Sequence, residues 1–181
     1  MARELDADRL QRLLDKDEIR DCVLAYARGL DREDEAILLS GFHADACDDH
    51  GAYIGPMADF PARASATRHR WRNYQHHVTN QVVEIAGDEA HAETYFFANL
   101  IRPDGRIDLS GGRYLDRLER RDGRWGIVER ITMVEWASTI PVEQTGWLPD
   151  GLFVGATHDR DDPSYLRPLR VTRPHRDLGA S

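Results

Sequence analysis

Two adjacent histidines, His76 and His77, head the alternating run YQHHVTNQVVEIAG. An imidazole exchanges protons near neutral pH, so either could serve as a general base. A strand sends neighbouring side chains to opposite faces, so at most one of the two can serve a site on a given face. Three other residues carry complementary chemistry. Asp31 follows Val23 by eight residues and Ala27 by four, which places its carboxylate over the apolar side of a helix. An unpaired buried charge is costly, so Asp31 needs a partner there; the ordinary alternative is a cap for the helix that follows. Tyr26 lies on the same stripe, either as core or as a hydroxyl donor into a pocket. In GIVERITMVEW, alternation puts Val128, Arg130, Thr132, Val134 and Trp136 on one face, with Arg130 its only charge. A lone inward arginine calls for an anion, from a protein carboxylate or from a substrate. An acid, an imidazole, a phenol and a cation, all expected inside, make a general acid–base set.

Other motifs are weaker. HADACDDH gathers His43, Asp45, Asp48, Asp49 and His50, but without a recognised ligand spacing. It reads as an acidic turn beside a strand. His69, His91, His158 and His175 fall in polar contexts and read as surface residues. Cys22 and Cys47 form no close metal-type pair and read as small core residues. The chain has no Gly-rich phosphate loop, no G-x-S-x-G elbow and no H-E-x-x-H.

The elements that must position these groups change period partway along. In DKDEIRDCVLAYARGLDRED, Ile19, Val23, Tyr26 and Leu30 recur at helical spacing, with Asp15 or Asp17 as N-cap and Gly29 in the last turn. EDEAILLSGF predicts a second, shorter helix. HADACDDHGAYIGP predicts a short strand and a Gly-Pro turn. MADFPARASATRHRWRNY predicts a further helix with Pro61 early. From His76 the runs HHVTNQVVEIAG, EAHAETYFFANLIR, GRYLDRLERR and RWGIVERITMVEWAS are β-rich, separated by GDEA, PDGRIDLSG and RDGR. Helices followed by an antiparallel meander give an α+β domain over residues 1–140. Residues 141–181 read as an extended tail packed on the domain or on a neighbouring subunit.

The 181 residues suffice for one core, and the formal charge of -8 argues against nucleic acid or an anionic membrane as partner. No apolar run approaches a membrane span, and two cysteines fit a reducing cytoplasm.

In three stretches, YARGLDRED, HHVTN and GGRYLDRLERRDGRWGIVERITMVEW, the chain resembles the nuclear transport factor 2-like superfamily, in its SnoaL-like branch of polyketide-cyclase-like and dehydratase-like proteins. The likeness covers about Leu13 to about Ser138. It implies a cone-shaped, cystatin-like α+β barrel: a curved antiparallel sheet wrapped around helices, with a deep apolar pocket. It also implies that His76 is the base, since the family motif reads histidine, two variable residues, Thr, Asn, and that His77 points away. Asp31 falls on the aspartate that orients the base, Arg130 on a pocket arginine, and Tyr26 on a tyrosine of bile-acid dehydratase relatives. Asn99, Tyr95, Phe97, Tyr53 and Trp136 are the implied pocket walls. The expected activity is a cofactor-independent, metal-free elimination on a small hydrophobic, cyclic or aromatic molecule. Isomerase or cyclase chemistry in the same pocket is the alternative, as is a non-catalytic module like the small subunits of ring-hydroxylating dioxygenases. Such relatives imply a homo-oligomer, a trimer ahead of a dimer.

Overall fold

The computed structural model describes residues 6–141 and 153–174. Helix α1 spans Ala7–Arg32 and begins at Asp6, whose carboxylate accepts the Asp8 amide at 3.1 Å. Neither Asp15 nor Asp17 is the cap, because the helix starts earlier, through residues 7–14 that lie exposed ahead of the buried stripe. Asp15 instead sits on that stripe with Ile19, Cys22, Val23, Tyr26 and Ala27. It is tolerated inside because it accepts Trp125 Nε1 at 3.0 Å and Arg120 Nη1 at 2.9 Å. Burial works to raise this carboxyl, but the Trp125 and Gln11 hydrogen bonds and Arg120 prevail and hold it below the usual range. Glu33, in the left-handed conformation, ends α1, and the Asp34 carboxylate caps α2 (Glu35–Ser40) through the Ile37 amide at 3.1 Å. Asp31 is therefore not needed as a cap. Gly29 lets the two helices cross, since a Cβ there would run into the Leu38 backbone.

Six strands follow: β1 Phe42–Asp49, β2 Ile54–Pro56, β3 Asn73–Ala86, β4 Glu89–Ile101, β5 Ile107–Arg121 and β6 Arg124–Ile140. They form one sheet in the order β2-β1-β6-β5-β4-β3. The meander from β3 to β6 is antiparallel, but β1 lies parallel to β6, so the sheet is mixed. It is also open, with β2 and β3 at its edges, not a closed barrel. The β1–β6 pairing joins segments far apart in sequence, which local periodicity cannot report. β5 begins at Ile107, inside the stretch that reads as a separator. The β5–β6 turn carries Asp122 at φ 52° and Gly123 at φ 78°, the two positive values of a type I′ hairpin. Helix α3 (Phe60–Thr67) has Pro61 in its first turn.

Register shifts interrupt the alternation, one between Phe42 and Cys47 against β6 and three within the meander. Between Val78 and Gln81 the inward parity of β3 changes, so that His76 and Val78 but then Gln81, Val83 and Ile85 face α1. The shift at Arg117/Leu118 puts both Ile127 and Val128 inside, where strict alternation separates them. The shift at Gly111/Gly112 turns Trp136 to the opposite face from Val134. The inner face packs on α1 through Phe96, Tyr114, Leu118, Trp125 and Ile127. Burying each aliphatic or phenylalanine side chain there contributes roughly 1.5–3 kcal/mol. Cys22 belongs to this core, whereas Cys47 is exposed.

The described part of the C-terminal segment crosses the end of α1. His158 Nδ1 donates to the Asp31 carbonyl at 2.9 Å, so this histidine is not the free surface residue its polar context suggests. Tyr165 donates to Asp34 Oδ2 at 2.9 Å, and Arg32 pairs with Asp162 at 3.4 Å. His175 lies outside the described residues. Among the described residues no helix is long and apolar enough to cross a membrane.

Candidate active site

The last turn of α1 and the first half of β3 bring Asp31 and His76 together. Asp31 Oδ1 lies 2.7 Å from His76 Nδ1, and the two carboxylate oxygens also accept the His76 backbone amide at 3.1 and 3.0 Å. A carboxylate only accepts, so Nδ1 carries the proton and Nε2 is the nitrogen left with a free lone pair. Both side chains are about one-sixth exposed, in keeping with a group that meets a cavity.

That cavity measures about 730 Å³ and is lined by His76. Its apolar wall is built from Leu38, Phe60, Phe96, Ala98, Leu100 and Val134. Its polar lining includes His50, Tyr53, Tyr74, Tyr114, Ser110 and Thr132, with the carboxylates of Glu33 and Glu35. Arginines 63, 68 and 70, from α3 and the turn after it, stand on one side. Arg68 pairs with Glu33, which also accepts the Tyr74 hydroxyl at 2.5 Å. His77, one residue on from His76, faces the other way; it stacks on Phe97 and lies 3.3 Å from the Asn99 amide nitrogen.

Of the other residues singled out from the sequence, Tyr53 lines this cavity and six do not. Asn99, Tyr95 and Phe97 alternate with the true wall residues Phe96, Ala98 and Leu100, and so face outward. Trp136 follows them to the outer face because of the shift at Gly111/Gly112, and is 48% exposed. Tyr26 and Arg130 lie deeper than the wall. Arg130 donates to both Asp116 oxygens at 2.6 and 2.7 Å, which supplies the anion its position demands. Its guanidinium stacks between the rings of Tyr26 and Tyr114, 4.4 Å from each centroid. Burial would lower its pKa, but Asp116 outweighs burial and raises it. The Tyr26 hydroxyl is wholly buried, has no hydrogen-bond partner among the described residues, and is pushed well above its ordinary pKa by burial.

Two cavity residues, Tyr114 and His50, are not assigned to a pocket by the sequence. Tyr114 alternates with Asp116 and Leu118 on the inner face of β5, a pattern that was available. Its ring stacks on Phe96 at 4.4 Å, and burial pushes its phenol above the ordinary value, so it remains a proton-bearing donor. His50, also on the wall, comes from the run that reads as an acidic turn, as does Asp48 beside it. His43 from the same run is structural: its Nε2 donates to the Glu119 carbonyl at 2.9 Å. Among the described residues no cluster of ligating side chains could hold a metal.

This architecture recurs in solved structures. A candidate scytalone dehydratase from Novosphingobium aromaticivorans shares 18% identity and superposes with a TM-score of 0.64, over 73% of this chain and 91% of that one. A hexachlorocyclohexane dehydrochlorinase from Novosphingobium barchaimii shares 23% identity, with a TM-score of 0.65 over 72% of this chain and 93% of that one. A protein of unknown function with a cystatin-like fold, from Nostoc punctiforme, shares 22% identity, with a TM-score of 0.59 over 67% of this chain and 92% of that one. At these identities the likeness concerns the fold alone. Among curated proteins no sequence matches the chain. The family model of the SnoaL-like domain matches residues 11–131, which include α1, the sheet up to the middle of β6, and both members of the Asp31–His76 pair. The chain therefore belongs to the SnoaL-like domain family of the nuclear transport factor 2-like superfamily.

Proposed function

We propose that this protein is a cofactor-independent lyase that eliminates water, or a comparable leaving group, from a small cyclic molecule carrying a carbonyl. The observation that carries the reading is the 2.7 Å contact between Asp31 Oδ1 and His76 Nδ1, with the imidazole at the wall of a cavity lined by apolar side chains. His76 Nε2 takes a proton from the carbon next to the carbonyl. Asp31 fixes the tautomer and stabilises the imidazolium that forms; general-base help of this kind is worth ~10²–10⁴-fold. The Tyr114 hydroxyl donates to the carbonyl oxygen as charge builds there. Arg130 and Tyr26 act at one remove, by fixing the Tyr114 ring.

A β-hydroxy tetralone is a suitable probe, because loss of water aromatises it to a naphthol with a distinct absorbance. The wild-type protein is expected to form the naphthol, and His76→Ala and Asp31→Asn to lose that activity while keeping the wild-type circular dichroism. Equal turnover in all three proteins would remove the reading. Exchange of the α-proton with solvent without loss of the hydroxyl would move the assignment to isomerase chemistry.

A further inference from the structure

On the inner face of the sheet, Asp48 of β1, Arg130 of β6 and Asp116 of β5 stand in one row, since Arg130 pairs in register with both aspartates. All three side chains are fully buried. Asp116 takes the whole bidentate contact with Arg130. Both oxygens of Asp48 are left with no hydrogen-bond partner among the described residues. The row thus holds two carboxylates and one guanidinium. A buried cluster one cation short is costly unless another positive group closes the balance. Beside Asp48 stands His50, whose Nδ1 lies 3.6 Å from Asp48 Oδ2, while its ring is one-third exposed and lines the same cavity as His76.

We propose that His50 is the general acid of this site, with Asp48 set beside its ring, and that the cavity carries two Asp–His pairs with opposite duties. The proposal rests on the elimination reading above and adds to it the donor that hydroxide departure requires. His76 Nε2 removes the α-proton, and the C–H electron pair becomes the new C=C bond. The C–O bond breaks with its electrons on oxygen, and the His50 proton goes to that oxygen to give water. His76 ends protonated and His50 neutral, and exchange with solvent restores both. The surroundings of His50 suit the role. Asp48 stands beside the ring from β1, and the Thr132 hydroxyl of β6 lies 3.2 Å from Nδ1 and orients it. Phe60 of the helical segment packs against it, with centroids 4.9 Å apart. The other charged groups around it are the Arg130–Asp116 pair of the row and Arg63, which also lines the cavity. Asp48 is a positioning residue; it touches no cavity space.

Two measurements on the intact protein test this. Nitrogen NMR of ring-labelled histidine, with His50 assigned by its absence in His50→Asn, is expected to show an imidazolium at pH 7 in the wild type and a neutral ring in Asp48→Asn. A neutral His50 in the wild type overturns the proposal whatever the turnover. In parallel, the β-hydroxy tetralone is compared with its β-acetoxy counterpart, whose acetate leaves without protonation. His50→Asn is expected to slow water elimination by ~10²–10⁴-fold and acetate elimination by less than about tenfold. His76→Ala is expected to lose both. Equal slowing of the two leaving groups in His50→Asn also overturns the proposal. If the wild type transforms neither compound, the elimination reading fails, and the charge on His50 still decides whether an acid is built into this wall.

Discussion

Asp31 holds His76 twice, by the backbone amide at 3.0 and 3.1 Å and by the ring nitrogen Nδ1 at 2.7 Å. One carboxylate from the end of α1 thereby pins both the start of β3 and the orientation of its imidazole. Asp31→Asn keeps the size of the side chain but replaces one acceptor with a donor, which favours the wrong histidine tautomer. Turnover of the tetralone probe is expected to fall by ~10²–10⁴-fold, as is usual for loss of general-base function. The melting temperature is expected to move by only a few degrees, because the amide oxygen of Asn still accepts from His76 and the one partly buried hydrogen bond lost is worth about 1 kcal/mol. Steady-state kinetics and calorimetry on the same preparation separate the two effects.

Tyr114 and Tyr26 provide a paired comparison, because their rings share Arg130 but only Tyr114 reaches the cavity. Tyr114→Phe is expected to lower kcat by ~10²–10³-fold, the usual cost of one donor to a developing oxyanion. Tyr26→Phe removes a buried hydroxyl that has no partner among the described residues, and such a deletion is near neutral or stabilising. Its kcat is expected to stay within a few-fold of wild type. A larger loss in Tyr26→Phe than in Tyr114→Phe would return the donor role to Tyr26.

The sequence carries the elements well wherever one period persists. The α1 stripe, the β5–β6 turn at Asp122–Gly123 and the inward Arg130 all follow from spacing and residue type. Failures cluster where one extra residue shifts parity. Trp136 belongs with Val134 by counting, yet the shift at Gly111/Gly112 turns it outward. Tyr95, Phe97 and Asn99 share one face as expected, but nothing local says which face of β4 meets α1; Phe96, Ala98 and Leu100 meet it instead. His50 and Asp48 escape notice for a different reason. Their importance comes from the parallel pairing of β1 with β6, which sets Asp48 beside Arg130 across some eighty residues of chain.

The Arg130–Asp116 pair makes a stability prediction. Both side chains are wholly buried, and removing Asp116 strips the guanidinium of both carboxylate oxygens it donates to. Asp116→Ala is expected to cost about 3–5 kcal/mol, read from the urea midpoint. Arg130→Met leaves both Asp116 and Asp48 without their common cation and is expected to be at least as damaging. Replacing the row by apolar residues together, Asp48→Leu with Arg130→Met and Asp116→Leu, is expected to recover much of that loss, because the desolvation cost disappears with the charges. A triple variant no more stable than Asp116→Ala would show that the row is held by packing rather than by charge.

Acid is expected to weaken the clasp of the C-terminal segment on α1. Asp162 accepts the Ser164 amide at 2.9 Å and the Thr157 amide at 3.2 Å, and Arg32 lies beside it. The contacts with Ser164, against the opposing effect of burial, bring its carboxyl from the ordinary 3.8 down to about 2. Asp34, which joins Tyr165 and Arg160 to the head of α2, is also held low; burial opposes this, but its hydrogen bonds and Arg160 prevail. A folded-state value below the unfolded one means that the unfolded chain binds the proton first. The stabilisation is therefore complete above the unfolded value and is lost as pH falls from about 4 toward about 2. Wild-type thermal stability is expected to drop across that window, while Asp162→Asn starts lower at pH 7 and changes less with acid. Parallel pH profiles for the two proteins would show that Asp162 contributes nothing to holding the segment.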